Sequence, residues 1–216
     1  MITFRSLILV GVGTFLIGVL IHPVIFPKPL KLKTFVPEGH ADKVQDVSKS
    51  DPPPPQFQQP EEIETCQESV QDLQNRHLLL PVQGARFEDV KDTFSEARGG
   101  RVHEAVDILA PRDTPVVAVD EGKVVKFFYS VRGGITIYQF DPTETYCYYY
   151  AHLDRYASDI KEGDYVRRGQ VIGYVGTSGN APKDTPHLHF AIFKLNADKR
   201  WWEGTAIDPY PVLKKQ

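Results

Sequence analysis

From Leu78 onward the chain breaks into short apolar runs separated by turn-forming residues, and this pattern limits the possible folds more than any other feature. The runs are TPVVAVDEG, KVVKFFYSV, ITIYQF, YCYYYAHL, QVIGYVG and HLHFAIF. The separators, such as 132–134, 141–142, 162–164 and 177–180, supply the Gly, Asn and Pro that turns need. No long helical period interrupts the series, so the sequence predicts an all-β domain of mostly antiparallel strands.

A second apolar run, near the amino terminus, predicts a transmembrane helix. Residues 7–21 read LILVGVGTFLIGVLI, and extension to residue 26 gives about 20 residues, enough to span a bilayer. A cleaved signal peptide should end in a small-residue cleavage site, and none follows the run. We therefore predict that residues 1–26 form a membrane anchor or uncleaved signal, with contact to the membrane through residues 7–26. The positive charges that flank the apolar run slightly favour a cytoplasmic location for the rest of the chain. The candidate active-site residues favour the opposite orientation, and we give them more weight.

Two further segments precede the β-rich part. Residues 27–60 are rich in proline and have no apolar periodicity, which predicts an extended linker. Residues 61–77 place apolar side chains at steps of three and four, which predicts a short amphipathic helix. The domain proper is then expected to occupy residues 78–216.

Charge and cysteine content exclude some classes of partner and site. The chain has 25 Lys and Arg against 28 Asp and Glu, a net charge of −3, so we expect no nucleic-acid partner. Two cysteines are too few for a disulfide scaffold or a four-cysteine zinc site. Cys66 and Cys147 either pair with each other or remain separate thiols.

Three short segments carry histidines in patterns that suit a metal site. In RVHEAVD, His103 and Asp107 are four residues apart, so an extended strand would place both on one face. In PHLHFAIF, His187 and His189 share one face of a predicted strand and alternate with apolar residues. In YYYAHL, His152 has the same parity as Tyr150 and Tyr148.

Together these residues satisfy the needs of a catalytic zinc site, which takes three protein ligands and keeps one position open for water. His103, Asp107 and one member of the pair His187 and His189 would be the ligands. The other member and His152 would then act on protons or on the oxyanion. Zinc lowers the pKa of its bound water to about 7, which yields a nucleophile for an amide carbonyl.

The order His-x-x-x-Asp, Tyr-Ala-His-Leu and Pro-His-Leu-His-Phe resembles the lysostaphin-type zinc metallopeptidases of family M23, which contain the LytM-type domain. The resemblance extends from about residue 80 to 208 and includes further matching segments. These are APRDTPV at 110–116, DEG at 120–122, RRGQVIG at 167–173 and GTSGN at 176–180.

The resemblance implies a role for each candidate residue. It makes His103, Asp107 and His189 the ligands of one Zn²⁺, and it makes His152 and His187 the catalytic histidines. It also implies antiparallel sheets of the duplicated-hybrid-motif type and a substrate among the cross-links or stem peptides of peptidoglycan. The catalytic domain would then lie outside the cytoplasm, in the periplasm, with the anchor in the inner membrane.

The family usually has glycine two residues before the ligand Asp, where this chain has Ala105, although that change removes no ligand.

Two other functions remain open at this level. A non-catalytic wall-binding module or hydrolase activator could use the same fold, and so could a zinc peptidase that cuts a secreted protein. Any regulatory protein partner is unknown from the sequence.

Overall fold

The computed structural model describes residues 60–214. The predicted anchor at 1–26 and nearly all of the predicted linker at 27–60 lie outside these residues. Within 60–214, none of the helices combines the length and the apolar character needed to cross a membrane. The predicted all-β character is confirmed, because ten strands and few helices make up the described part.

Helices bracket the strands at both ends of the described part. In chain order the elements are α1 (Pro60–Asn75), a 3₁₀ turn (Phe87–Asp89), β1 (Val90–Lys91), β2 (Val106–Leu109), β3 (Pro115–Val117), β4 (Gly122–Ser130), β5 (Gly134–Phe140), β6 (Tyr146–Tyr156), β7 (Tyr165–Val166), β8 (Val171–Val175), β9 (His187–Leu195), β10 (Gly204–Ile207) and α2 (Pro209–Leu213).

Every strand pair is antiparallel, and the main path of the sheet runs β1-β2-β9-β6-β5-β4-β7. Strand β10 pairs with the end of β9, along the same edge of β9 that pairs with β2. Strand β3 pairs with β8. The long strand β6 pairs with β9 through residues 146–151 and with β8 through residues 153–156. Strands β2, β9 and β6 therefore lie side by side where the candidate site residues occur.

The larger apolar core lies on one face of this sheet, and a smaller apolar cluster around Cys147 and Leu195 lies on the other. Strand β9 buries Leu188, Phe190 and Ile192 completely, as the alternation of HLHFAIF predicts. Tyr150 of β6 is also fully buried, and its hydroxyl donates to Gln139 Oε1 at 2.9 Å. The opposite face of β9 carries His187 and His189 near its start, and Phe193 and Leu195 of the smaller apolar cluster near its end.

Helix α1 packs against the domain through its carboxyl-terminal half. Leu73 is fully buried in the core, and Gln74 Nε2 donates to the carbonyl of Pro211 at 2.9 Å. Both cysteines are free thiols: Cys66 is half-buried and Cys147 is buried. The alternative of a Cys66–Cys147 disulfide is therefore absent from the structure.

Candidate metal centre and active site

The centre of the site is a row of residues across β2, β9 and β6. Asp107 lies directly opposite His189, and His189 lies opposite Ala151 on the other neighbouring strand. Residues paired across antiparallel strands project to the same face. The adjacent pair, Val106 and Phe190, is fully buried in the core. Since side chains alternate along a strand, Asp107 and His189 project together from the other face.

His103 reaches this row from a loop and not from a strand. Strand β2 begins only at Val106, and Glu104 has a left-handed φ of 55°. The expectation that strand alternation aligns His103 with Asp107 is therefore wrong, although the two side chains do meet. The His103 N–H donates to the carbonyl of Glu96 at 2.9 Å, which fixes the loop.

The three side chains present their ligand atoms at spacings that suit one ion. His103 Nε2 lies 2.9 Å from His189 Nδ1, and each of these nitrogens lies 3.4 Å from Asp107 Oδ1. A tetrahedral zinc with bonds of about 2.0–2.1 Å separates its ligand atoms by about 3.3 Å. Among the described residues, these three form the one group of His, Cys, Asp and Glu side chains close enough to hold a metal.

A buried, unpartnered oxygen supports the fit of a cation. Asp107 Oδ1 is buried and accepts no hydrogen bond, a costly arrangement that a bound cation would relieve. His103 Nδ1 contacts the carbonyl of Thr93 at 3.1 Å, which assigns the proton to Nδ1 and leaves the Nε2 lone pair for a metal. Two imidazoles and a carboxylate are ligands that zinc prefers.

The charge of Asp107 is stabilised by its neighbours. Burial by itself raises the pKa of a carboxyl, but the imidazoles of His103 and His189 outweigh it, and the pKa of Asp107 lies well below its usual range. Burial lowers the pKa of His189, with Asp107 opposing the shift. The ligand group thus favours an ionised carboxylate and a neutral imidazole, the forms that bind metal.

His152 enters the site through an irregularity in β6. Ile137 pairs with Tyr150 but Ile135 pairs with Leu153, so one residue of β5 faces two of β6. His152 takes up the extra position with a left-handed φ of 59°, the geometry of a β-bulge. The expected shared parity of His152 with Tyr150 is therefore wrong, because the bulge turns His152 away from the core to the face that carries His189.

Two neighbours orient His152 and set its charge. Its Nδ1 contacts the carbonyl of Ser178 at 2.9 Å, and its ring centroid lies 5.6 Å from that of His189. Burial, followed by the proximity of His189, lowers the pKa of His152 to about 4. The ring is neutral at physiological pH, with the proton assigned to Nδ1.

His187 lies two residues before His189 on β9 and therefore projects from the same face of the strand. Its Nδ1 contacts the carbonyl of Thr185 at 2.8 Å, and its Nε2 lies 3.8 Å from Asp107 Oδ1. The rings of His187 and His152 are 5.0 Å apart between centroids. The structure thus brings all five residues singled out in the sequence into one cluster.

A cleft of about 940 Å³ opens over this cluster. Its lining includes His103, His152 and His189 together with Tyr149, Glu104 and three arginines, Arg98, Arg101 and Arg132. The sequence did not single out Arg98 or Tyr149. Arg98 donates to Asp107 Oδ2 at 2.9 Å, and the Tyr149 ring meets the His189 ring at 5.9 Å. Only the YYYAHL alternation signalled Tyr149, as a residue on the face opposite Tyr150.

The chain is similar in sequence to known endopeptidases. The chain is 39% identical over 132 residues to the L-Ala–D-Glu endopeptidase of Bacillus subtilis, covering 57% of this chain and 39% of that protein. It is 36% identical over 90 residues to the peptidoglycan DD-endopeptidase ShyC of Vibrio cholerae, covering 42% of this chain and 20% of that protein. The chain thus spans well under half the length of these curated relatives.

A solved structure gives the same result for the fold. LytM from Ruminococcus gnavus superposes with a TM-score of 0.55 at 26% identity, covering 74% of each chain. The sequence profile of peptidase family M23 matches residues 101–209, which is about half of this chain and contains all five candidate residues. The resemblance seen in the sequence is therefore confirmed, and this chain belongs to peptidase family M23, a family of metallopeptidases.

Proposed function

We propose that this protein is a zinc-dependent endopeptidase that hydrolyses peptide bonds in the cross-links or stem peptides of peptidoglycan. The observation that carries the proposal is the group of His103, Asp107 and His189, whose ligand atoms lie within 4.8 Å of one another. The unpartnered Asp107 Oδ1 at its centre supports a resident cation. Relatives named as endopeptidases, one of them a peptidoglycan endopeptidase, support the substrate.

In this proposal the chain's own residues handle the protons. One Zn²⁺ held by His103, Asp107 and His189 would supply Lewis-acid polarisation and a lowered pKa for the attacking water. His152 and His187 both have Nδ1 at a backbone carbonyl, so their other nitrogen is free to accept the proton of that water. The protonated ring can then stabilise the oxyanion or protonate the leaving amine.

The cleft lining favours a peptide that carries carboxylates. Arg98, Arg101 and Arg132 line the cleft together with Glu104, although the whole chain has a net charge of −3. Arg98 pairs with Asp107 and Glu96, so Arg101 and Arg132 carry the excess positive charge. A bound zinc ion would add further positive charge beside them. Peptides with free α-carboxyl groups on their D-Glu or diamino-acid residues fit such a cleft better than an uncharged peptide does.

We also propose the domain organisation and location that this substrate requires. Residues 1–26 would anchor the chain in the inner membrane, residues 27–60 would form a linker, and residues 61–77 a helix ahead of the peptidase domain at 78–216. Peptidoglycan lies outside the cytoplasmic membrane, so the catalytic domain would be periplasmic. A membrane-tied domain on an extended linker can act away from the bilayer surface.

The test digests purified cross-linked peptidoglycan fragments with the zinc-loaded full-length chain, in parallel with casein as an unrelated protein. Products are identified by mass spectrometry with and without a chelator, and His187→Ala serves as the inactive variant. Chelator-sensitive cleavage of the fragments alone would support the proposal. Cleavage of casein but not of the fragments would favour a peptidase of secreted proteins. Zinc binding without any cleavage would favour a wall-binding module or hydrolase activator.

A further inference from the structure

The side chain of Arg98 connects the candidate metal site to an exposed loop. Its Nη2 donates to Asp107 Oδ2 at 2.9 Å and to Glu96 Oε2 at 3.0 Å. The Asp107 side chain is 12% exposed, whereas those of Arg98 and Glu96 are 46% and 52% exposed. Arg98 therefore pairs with one largely buried carboxylate and one solvated carboxylate.

The two oxygens of Asp107 have different surroundings. Oδ1 accepts no hydrogen bond and lies 3.4 Å from a nitrogen of each ligand histidine. Oδ2 is occupied by the guanidinium of Arg98. A carboxylate can bind a cation through one oxygen or through both, and in this site only Oδ1 is available.

The loop that carries Arg98 also carries His103. Ala97 pairs with Val102 as an isolated antiparallel bridge, and the Arg98 N–H donates to the carbonyl of Arg101 at 2.7 Å. His103 is fixed to the same loop by its N–H bond to Glu96. One hairpin thus places a metal ligand, His103, and the partner of a second ligand, Arg98, in a fixed relation.

We propose that Arg98 is a positioning residue that holds Asp107 as a ligand through one oxygen only. With Oδ2 occupied, the protein supplies three ligand atoms and leaves the remaining position to water and substrate. Without Arg98, both Asp107 oxygens are free to turn toward the cation and compete for that position. This inference rests on the metal site of the proposed function.

The role differs from that of an ordinary surface ion pair. The exposed pair with Glu96 adds little to stability by itself. The contact with Asp107 instead acts on the orientation and basicity of a metal ligand, where loss of such a partner typically weakens metal binding about 10–100-fold. Substitution of Arg98 should therefore change the affinity for the metal and not only the stability of the fold.

The experiment measures metal binding by the full-length chain and three single variants. Arg98→Gln removes the charge, Arg98→Lys retains it, and Arg112→Gln is the matched control. Arg112 is also an exposed arginine in an ion pair, with Asp154 at 2.8 Å, but it does not line the cleft. Zinc affinity is measured by competition with a chromophoric chelator, and the visible absorption of the Co²⁺-substituted protein reports coordination number.

We expect Arg98→Gln to weaken zinc binding about 10–100-fold and to lower the intensity of the Co²⁺ bands, as a second Asp107 oxygen joins the coordination sphere. Arg98→Lys should recover part of both properties, and Arg112→Gln should match the wild type. Wild-type affinity and an unchanged Co²⁺ spectrum in Arg98→Gln would overturn the inference.

Two controls keep the outcomes separate. Thermal unfolding of each variant in chelator shows whether it folds, and the Lys variant provides the comparison if the Gln variant does not. A wild-type chain that binds neither Zn²⁺ nor Co²⁺ would overturn the proposed function itself. Normal metal binding together with an unaltered Arg98→Gln variant would overturn only the role of Arg98.

Discussion

At the scale of single residues, His152 and His187 have the same arrangement although they lie on different strands. Each directs Nδ1 at a backbone carbonyl, that of Ser178 or of Thr185. This contact selects the tautomer whose other nitrogen carries a lone pair. Of the two ligand histidines, only His103 directs Nδ1 at a backbone carbonyl, that of Thr93. His189 instead directs Nδ1 at Asp107.

Replacing either proton-handling histidine should separate catalysis from metal binding. We expect His152→Ala and His187→Ala each to lower kcat about 10²–10⁴-fold, because an acid–base group is lost while all three ligands remain. Zinc content, measured by mass spectrometry of the native protein, should stay at one ion per chain.

His103→Ala is the contrasting variant, since it removes a ligand. It should reduce both activity and zinc content, and its residual activity should rise with added zinc. Loss of zinc from His187→Ala, or full activity of His152→Ala, would contradict the assigned roles.

At the scale of elements, the turn between β5 and β6 holds α1 in place through Asp141. This side chain is almost fully buried and accepts bonds from the N–H groups of Thr145 and Tyr146 at 2.7 and 2.6 Å. Arg76, just after α1, donates to its Oδ2 at 2.7 Å. Burial alone would raise the pKa of Asp141, but hydrogen bonds from the Thr143 hydroxyl, the Tyr146 N–H and the Arg76 guanidinium outweigh burial and lower the pKa.

Asp141→Asn should destabilise the fold by on the order of 2 kcal/mol at neutral pH, because bonds to a charged acceptor are lost. The folded-state pKa lies below the unfolded value of about 3.9, so the stabilisation is present above that pH and is lost as the pH falls through the folded-state pKa. Chemical denaturation at several pH values should therefore show a difference between wild type and variant that shrinks below about pH 4. A difference that stays constant with pH would contradict the role of the carboxylate charge.

The loop after β8 supports His152 through Ser178, and Gly179 fixes that loop. Gly179 has a φ of 71°, and a Cβ there would lie 2.1 Å from the carbonyl oxygen of Arg132. Gly179→Ala should lower stability by more than about 1 kcal/mol and should also reduce kcat, because the Ser178 carbonyl shifts away from His152.

Gly163→Ala is the matched control for this substitution. Gly163 also has a left-handed φ, of 91°, but a Cβ there would meet nothing within 4 Å. The control should show the backbone strain alone, as a lower melting temperature with unchanged kcat. Equal kcat values for the two variants would refute the support role of the loop.

At the scale of the whole molecule, the charge of the cleft differs from that of the chain. The net charge is −3, whereas the cleft is lined by Arg98, Arg101 and Arg132 with Glu104. Arg98 and Arg101 belong to the hairpin beside β2, and Arg132 lies between β4 and β5, next to Gly133, whose carbonyl accepts the His152 N–H at 2.8 Å. Positive charge thus flanks the metal site on both sides of β9.

Arg132→Gln should reduce kcat/KM for stem peptides with free carboxylates. It should leave kcat/KM nearly unchanged for the same peptides with those carboxylates converted to amides. The expected loss is about 10-fold, for one exposed charge-assisted contact, and it should diminish as ionic strength rises. Equal losses on both peptides would indicate that Arg132 acts on the structure of its turn and not on substrate charge.

The strand-rich fold and the five His and Asp residues that cluster beside β9 could be predicted from the sequence, whereas Arg98 could not. Alternation in HLHFAIF predicted which face of β9 is buried, because a pleated strand has a period of two wherever it is regular. The same regularity left the choice between His187 and His189 open, since both share one face. The structure places His189 Nδ1 nearer to Asp107 than His187 Nε2, at 3.4 against 3.8 Å.

The routes by which the other residues reach the site follow from the three-dimensional fold. His103 arrives from a loop with a left-handed residue beside it, and His152 arrives through a bulge with a φ of 59°. Arg98 reaches Asp107 because a hairpin folds back on β2. Each of these placements depends on a local break in backbone periodicity that long-range pairing stabilises, and a pattern read along one chain does not contain that information.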